Sequence, residues 1–82
     1  MIVRKLYVYQ TRIGQFFIGQ SDDGRYHPVF GDETLGSYVS PEQAADDLAG
    51  GHTDRPHGGA DTSALGIPRA LNEWERLPPP NG

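Results

Sequence analysis

The feature that most constrains this fold is a connection of 17 residues, positions 50–66, in a chain of only 82. The connection lies between two segments that carry helix signals, and it contains five glycines and two of the three histidines. Connections beyond about 12–15 residues are uncommon in compact domains, where they tend to be functional or disordered. The sequence therefore predicts that any site chemistry is concentrated here.

The chain has the size of one small domain, which we assign to residues 1–77, followed by a disordered proline-rich tail at 78–82. A chain this short buries only about 60–65% of the surface that its unfolded form exposes. It has no cysteine, and therefore no disulfide or thiolate metal site. No apolar run approaches the roughly 18 residues of a membrane span, and we expect a cytoplasmic protein without membrane contact.

The net charge of −4 is unevenly distributed along the chain. Residues 1–30 carry a net charge of +2, whereas residues 31–82 carry −6. Such asymmetry is informative about partners. It favours a basic protein surface that meets the acidic half, and the alternative is an acidic helix face that is merely solvated.

The first half of the chain has the pattern of an antiparallel sheet. Runs of β-branched and aromatic residues, separated by Gly-containing turns, predict strands at 3–10, 15–19 and 25–30 and a short fourth strand at 35–39. Proline has no N–H to give to a ladder, so Pro28 indicates an edge position or a break in the third strand.

Alternation along these strands predicts two apolar faces. We expect one face to carry Tyr7, Tyr9 and Phe17. The other is expected to carry Leu6, Val8, Phe16 and Ile18. One helix layer can cover only one of them, so the second must meet the C-terminal helix, a second copy of the chain or another protein.

Helix signals follow the strands. Ser40 as N-cap, Pro41 at the first position and Gln43 in a capping box predict a helix over 41–49, ended by Gly50. A second helix is predicted over 68–77, with Trp74 on its apolar face. The predicted fold class is α+β: a three- to four-stranded antiparallel β-meander packed against one capped α-helix, with a long loop and a short C-terminal helix.

Two stretches of the chain resemble a group of short bacterial proteins that have no established activity. These are residues 35–53, LGSYVSPEQAADDLAGGHT, and residues 61–68, DTSALGIP. The resemblance covers about a third of the chain. It implies a bacterial source and a small protein that stands alone, and it transfers no catalytic residue.

The candidate metal ligands all lie in the long connection. They are His52, Asp54, His57 and Asp61. Imidazole and carboxylate suit zinc or another divalent ion, and three such ligands with a water would give a metal-dependent hydrolase. However, their spacing follows no metal motif, and the aspartates also suit turn caps. We expect no cofactor and no enzymatic activity.

The function that the sequence favours is a non-enzymatic protein-binding module, acting as an inhibitor or adaptor. One version is a mobile-element anti-defence protein whose acidic half mimics phosphate. The candidate partner-binding residues are Tyr7, Tyr9, Phe17, Asp46 and Asp47. The partner is another protein or a second copy of the chain. The alternative is a small nucleic-acid-binding domain with a basic aromatic sheet face, although a chain of net charge −4 makes nucleic acid a poor partner.

Overall fold

The computed structural model describes residues 3–56 and 59–78. It has one antiparallel sheet of five strands, in the order β4-β3-β2-β1-β5. The elements in chain order are β1 (Val3–Thr11), β2 (Gly14–Ser21), β3 (Tyr26–Phe30), β4 (Glu33–Thr34), α1 (Pro41–Gly50), 3-10 turns at Thr62–Ala64 and Leu71–Glu73, and β5 (Glu75–Arg76). The predicted α+β class and the meander of the first three strands are confirmed.

The turns between the strands follow from their residues. Between β1 and β2, the Thr11 hydroxyl donates to the Gly14 carbonyl at 2.7 Å, and Gly14 adopts a φ of +139°. Between β2 and β3, the Gly24 amide donates to the Ser21 carbonyl at 2.9 Å, and Gly24 has a φ of +83°. Glycine tolerates these positive φ values because it has no Cβ.

The predicted fourth strand at 35–39 is wrong in its position. β4 occupies Glu33–Thr34, and only an isolated bridge between Tyr26 and Tyr38 remains within the predicted range. The reason is that Leu35 is buried in the core, while its amide donates to the Pro28 carbonyl at 2.8 Å. The chain stays beside β3 as far as Tyr38, which exchanges two backbone hydrogen bonds with Tyr26, and then continues to α1.

Pro28 lies inside β3, opposite Ile18 of β2. Its carbonyl points toward Leu35, away from β2. Because the N–H and C=O groups of one residue in an antiparallel strand point to the same side, the missing N–H of Pro28 also lies on that side. The proline therefore removes no hydrogen bond between β3 and β2. Along the other edge of β3, it lies between the residues that pair with β4 and the bridge from Tyr26 to Tyr38.

The prediction that Tyr7, Tyr9 and Phe17 share one sheet face is wrong. Tyr7 pairs with Ile18 and Tyr9 with Phe16, whereas Val8 pairs with Phe17. Directly paired residues of an antiparallel ladder project to the same face. The turn that pairs Thr11 with Gly14 sets this register, and an irregularity between Lys5 and Tyr7 changes the face of the residues that precede it.

We call the face that carries Phe16 and Ile18 the inner face, and the opposite face, with Val8, Phe17 and Val29, the outer face. The inner face packs against α1, whose Ala44, Ala45 and Leu48 are fully buried in the same core cluster. Alanine allows the helix backbone to approach the sheet closely. Tyr7 and Tyr9 pack against this cluster as well.

α1 begins as predicted and ends one residue later. The Ser40 side chain caps it by accepting from the Gln43 amide at 3.2 Å, and Pro41 is its first residue. Gly51, with a φ of +77°, takes the C-cap role that the sequence analysis gave to Gly50. The amide of His52 then donates to the Asp47 carbonyl at 2.9 Å, which closes the helix end.

The long connection packs back onto α1. The buried Thr62 donates its hydroxyl to the Leu48 carbonyl at 2.7 Å, which satisfies one of the last carbonyls of the helix. The Asp54 amide donates to the Leu35 carbonyl at 2.9 Å, and Arg12 donates to the Ala64 carbonyl at 3.0 Å. These bonds tie both parts of the connection to the sheet and the helix.

The predicted helix at 68–77 is wrong. Only one 3-10 turn forms, at Leu71–Glu73, and the chain becomes extended at Trp74 and enters β5. Trp74 is buried beside Tyr9, with 5.8 Å between ring centroids, and its indole N–H donates to the Pro68 carbonyl at 2.9 Å.

Two effects favour this extended ending over a helix. A short helix has little stability of its own, whereas an extended segment completes the open edge of β1. Tyr7 pairs with Arg76, and the Leu77 amide donates to the Leu6 carbonyl at 2.8 Å. Residues 79–82 of the predicted tail lie outside the described residues.

The Thr62 hydroxyl gives a test of how the connection is anchored. Thr62→Val keeps the shape of the side chain and removes this donor, while the Leu48 carbonyl keeps the Gly51 amide at 3.2 Å. We therefore expect the free energy of unfolding to fall by about 0.5–1.5 kcal/mol, the net value of one hydrogen bond. Urea denaturation measures it. Thr53→Val is the control, because the Thr53 hydroxyl bonds only the neighbouring Asp54 carbonyl at an exposed site. Equal effects of both substitutions would contradict the anchoring role.

Candidate functional site

The candidate metal ligands in the connection have separate surroundings. His52 and Asp54 are exposed, and His57 lies outside the described residues. Asp61 caps the turn at Thr62–Ala64: its carboxylate accepts from the Ser63 hydroxyl at 2.7 Å and the Ser63 amide at 3.0 Å. These two hydrogen bonds lower the pKa of Asp61. Within residues 3–56 and 59–78, no group of three or more His, Cys, Asp or Glu side chains is arranged to hold a metal ion.

The sequence analysis missed a buried cluster around His27. Nε2 of His27 lies 2.9 Å from the Ser21 hydroxyl oxygen, and Nδ1 lies 2.9 Å from the Gly36 carbonyl oxygen. Because a carbonyl only accepts, Nδ1 carries the hydrogen in this bond. The Ser21 hydroxyl also bonds the Asp23 carboxylate, and this bond, followed by one from the Arg25 amide, lowers the pKa of Asp23.

The geometry of this cluster is that of a structural tie. Ser21 and His27 are only 6% and 7% exposed, and the Ser21 hydroxyl is bonded to both Asp23 and His27. In hydrolytic triads a carboxylate orients the histidine, but here the Gly36 carbonyl does so and the Asp23 carboxylate bonds the serine. The cluster joins the β2–β3 turn to the segment before α1. The sequence signal was the Ser21–Gly24 turn, which brings residues 21 and 27 of adjacent strands together.

Asp46 and Asp47, the acidic candidates for partner binding, both have intramolecular partners. Asp46 forms an ion pair with Arg69 at 3.1 Å, and the two side chains are 56% and 67% exposed. An ion pair this exposed contributes little to stability. Asp47 bonds the Tyr38 hydroxyl, and burial of Tyr38, followed by this hydrogen bond, raises the pKa of Tyr38 to about 12.

The outer face carries an aromatic ring at its centre. Phe17 is half-buried there, and the Lys5 ammonium lies over its ring, 4.8 Å from the centroid. Val8 and Val29, the pairing partners of Phe17, are buried beside it. A cation at this distance from an aromatic ring is attracted to it.

A shallow depression continues the outer face beyond Phe17. It has a volume of about 380 Å³ and is lined by Val3, Phe17, Val29, Gly31, Asp32 and Thr34. Gly19 makes room for Val3, because a Cβ on this glycine would lie 2.2 Å from Val3 Cγ1. The outer face therefore combines apolar side chains, one cation and polar residues at its margin.

The three aromatic residues named for the nucleic-acid alternative do not share one sheet face. Tyr7 and Tyr9 lie on the inner face, away from Phe17. Two of the basic side chains hold loops in place. Arg12 donates to the Ala64 carbonyl, and Arg25 donates to the Ser37 hydroxyl at 2.7 Å and the Ser37 carbonyl at 3.0 Å.

Comparison of the chain with family models, curated proteins and solved structures found no match. Across the described part of the chain, no helix has the length and apolarity that crossing a bilayer requires. Arguments about function therefore depend on the geometry of this protein's own surfaces.

The Tyr38–Asp47 contact predicts a specific titration. In the folded protein the pKa of Tyr38 is about 12, above the unfolded value of about 10. The protonated phenol therefore contributes to the free energy of unfolding, and this contribution is complete below about pH 10. This contribution is lost as the pH rises through about 12. In a tyrosinate absorbance titration, Tyr38→Phe should remove the step near pH 12.

Asp47→Asn is the second arm of this titration. It should move the Tyr38 step to lower pH, because a neutral amide no longer opposes the phenolate charge. Glu42→Gln, a neutralised carboxylate elsewhere on α1, is the control. A Tyr38 step that does not move in Asp47→Asn would contradict the assignment of Asp47 as its partner.

Proposed function

We propose that this protein is a non-enzymatic protein-binding module and that the outer face is its contact surface. The observation that carries the proposal is that α1 and Trp74 both pack on the inner face, while Phe17 stands half-buried on the outer face. Aromatic residues at the centre of an apolar patch with a polar margin are typical of interaction sites. The proposal includes a cytoplasmic location.

The composition of the outer face favours a protein partner. The ring of Phe17 has the Lys5 ammonium over it, and Val8 and Val29 lie beside it on the neighbouring strands. Lys5 is exposed, so its ammonium group is accessible to a carboxylate of the partner. The depression beside Phe17 can receive an apolar side chain, a pairing of anchor and pocket that is common at protein interfaces.

Phe17→Ser tests the contact surface. In a pull-down from a lysate of the source organism, followed by titration of the recovered partner, we expect the substitution to weaken binding at least about tenfold, because a central aromatic contact is lost. Val39→Ser is the matched control. Val39 is the most exposed large apolar side chain described, at 71%, and it lies outside the sheet. Equal affinity of Phe17→Ser and wild type would contradict the proposal.

A more specific form of this proposal is that the protein is a mobile-element anti-defence protein. Asp46 and Asp47 would then mimic phosphate groups and block a nucleic-acid-binding complex of the host. The charge asymmetry of the chain supports it, and the exposed Asp46–Arg69 pair leaves Asp46 accessible. The same pull-down distinguishes this version from contact through the outer face alone. If Asp46 and Asp47 mimic phosphate, capture by the wild type should weaken with added salt, and charge reversal of both residues should abolish capture. Unchanged capture by the reversed protein, together with loss in Phe17→Ser, would leave the outer face as the contact surface.

A further inference from the structure

A second concavity lies away from the outer face, where the first turn of α1 meets the C-terminal segment. We call it the inner-edge pocket. It has a volume of about 320 Å³, and its lining residues are Tyr7, Glu42, Leu71, Asn72, Trp74 and Arg76. The register places Arg76 on the inner face opposite Tyr7, so this pocket and Phe17 are on different sides of the sheet.

The charged groups of the inner-edge pocket have no partners within the described part of the chain. Neither the Glu42 carboxylate nor the Arg76 guanidinium forms an ion pair or a side-chain hydrogen bond there, although both line the same concavity. Both side chains are exposed. The pocket thus presents an anion and a cation that do not satisfy each other.

Two apolar side chains, Leu71 and Trp74, line the pocket beside these charged groups and are held in place by the core. Trp74 is buried and fixed through its indole N–H to the Pro68 carbonyl, and Leu71 packs against the same core. Asn72 adds an amide that can both donate and accept. Polar groups at fixed positions in a pocket set the orientation of its ligand.

From this arrangement we infer that the inner-edge pocket binds a small zwitterion of the amino-acid class, with its ammonium group at Glu42 and its carboxylate at Arg76. Guanidinium groups suit carboxylates because two parallel N–H donors can meet both oxygens. An apolar ligand side chain would lie on Leu71 and Trp74. The volume is at the lower end of the range for ligand pockets, about 300–1,000 Å³, which fits a free amino acid or a dipeptide.

Arg76 also borders a neighbouring depression, lined by Arg4, Leu6, Tyr7, Arg76 and Leu77. A dipeptide would extend its carboxylate in that direction, where Arg4 adds a second guanidinium. A free amino acid and a dipeptide both have an ammonium group and a carboxylate at their ends. Titrating the protein with each of them separately shows which of the two binds more tightly. The inference is independent of the proposed outer-face interaction.

Trp74 is the only tryptophan of the chain, and its emission reports directly on this pocket. We expect saturable changes in emission when wild-type protein is titrated with L-leucine or L-leucyl-L-leucine, with a Kd at or below about 1 mM for at least one of them. N-acetyl-leucine lacks the ammonium group and leucinamide lacks the carboxylate. Each should bind at least about tenfold more weakly than leucine, because one charge-assisted contact is lost.

Charge-neutralising variants complete the test. Glu42→Gln and Arg76→Gln should each weaken the zwitterion at least about tenfold, whereas Glu73→Gln, an exposed carboxylate outside the pocket, should bind as wild type. Amide chemical shifts in NMR spectra check that the variants are folded. The inference would be overturned if neither zwitterion changed the emission in the millimolar range, or if wild-type protein bound the two blocked derivatives as well as leucine.

Discussion

The packing of one short, alanine-rich helix on the inner face is the interaction on which the rest of this structure depends. Ala44 and Ala45 bring the α1 backbone close to Phe16 and Ile18, and all four side chains are fully buried. However, alanine contributes little volume, and ten residues cannot cover five strands. The remaining inner face is therefore filled by irregular segments, which explains why Ile67 of the long connection and Trp74 of the C-terminal segment are buried in the core.

This packing also separates the two candidate binding surfaces. Because α1, Leu35, Ile67 and Trp74 all lie on the inner side, the described residues add no helix layer to the outer face. The outer face has Phe17 at its centre and a depression beside it, which suits an apolar side chain of a protein partner. The inner-edge pocket is small, charged and floored by Trp74, which suits a small molecule. The two surfaces lie on different sides of the sheet.

The parts of the fold that the sequence predicted are those set by local chemistry. Ser40 and Pro41 define the start of α1 through a cap, and the turns at Gly14 and Gly24 define the first three strands. The incorrect predictions concern segments whose conformation is determined by contacts with residues distant in the sequence. The segment 68–77 has a helical pattern, but burial of Trp74 beside Tyr9 and pairing with β1 favour an extended chain. Likewise, the face of Tyr7 depends on its pairing with Ile18, which alternation within one strand does not reveal.

The candidate site residues show the same division. Asp61 was correctly interpreted as a possible turn cap, because its Ser63 partner is two residues away. The His27 cluster was missed, because it joins Ser21 to Gly36 through the folded sheet. The roles of Phe17 and of Asp46 and Asp47 in partner binding stay predictions. Exposure and charge indicate which residues are available for binding, but the surface of the partner determines which of them contact it.

The central claim is that α1 and Trp74 cover the inner face of the sheet, whereas the ring of Phe17 on the outer face stays partly exposed. Relaxation of ring protons by a soluble paramagnetic agent, measured by NMR on a sample shown to be monomeric by sedimentation, tests it directly. The agent should strongly relax the ring protons of Phe17 and leave those of Phe16, its neighbour in β2, almost unaffected. Equal protection of both rings would contradict the claim, since it would mean that the outer face is covered within the chain itself.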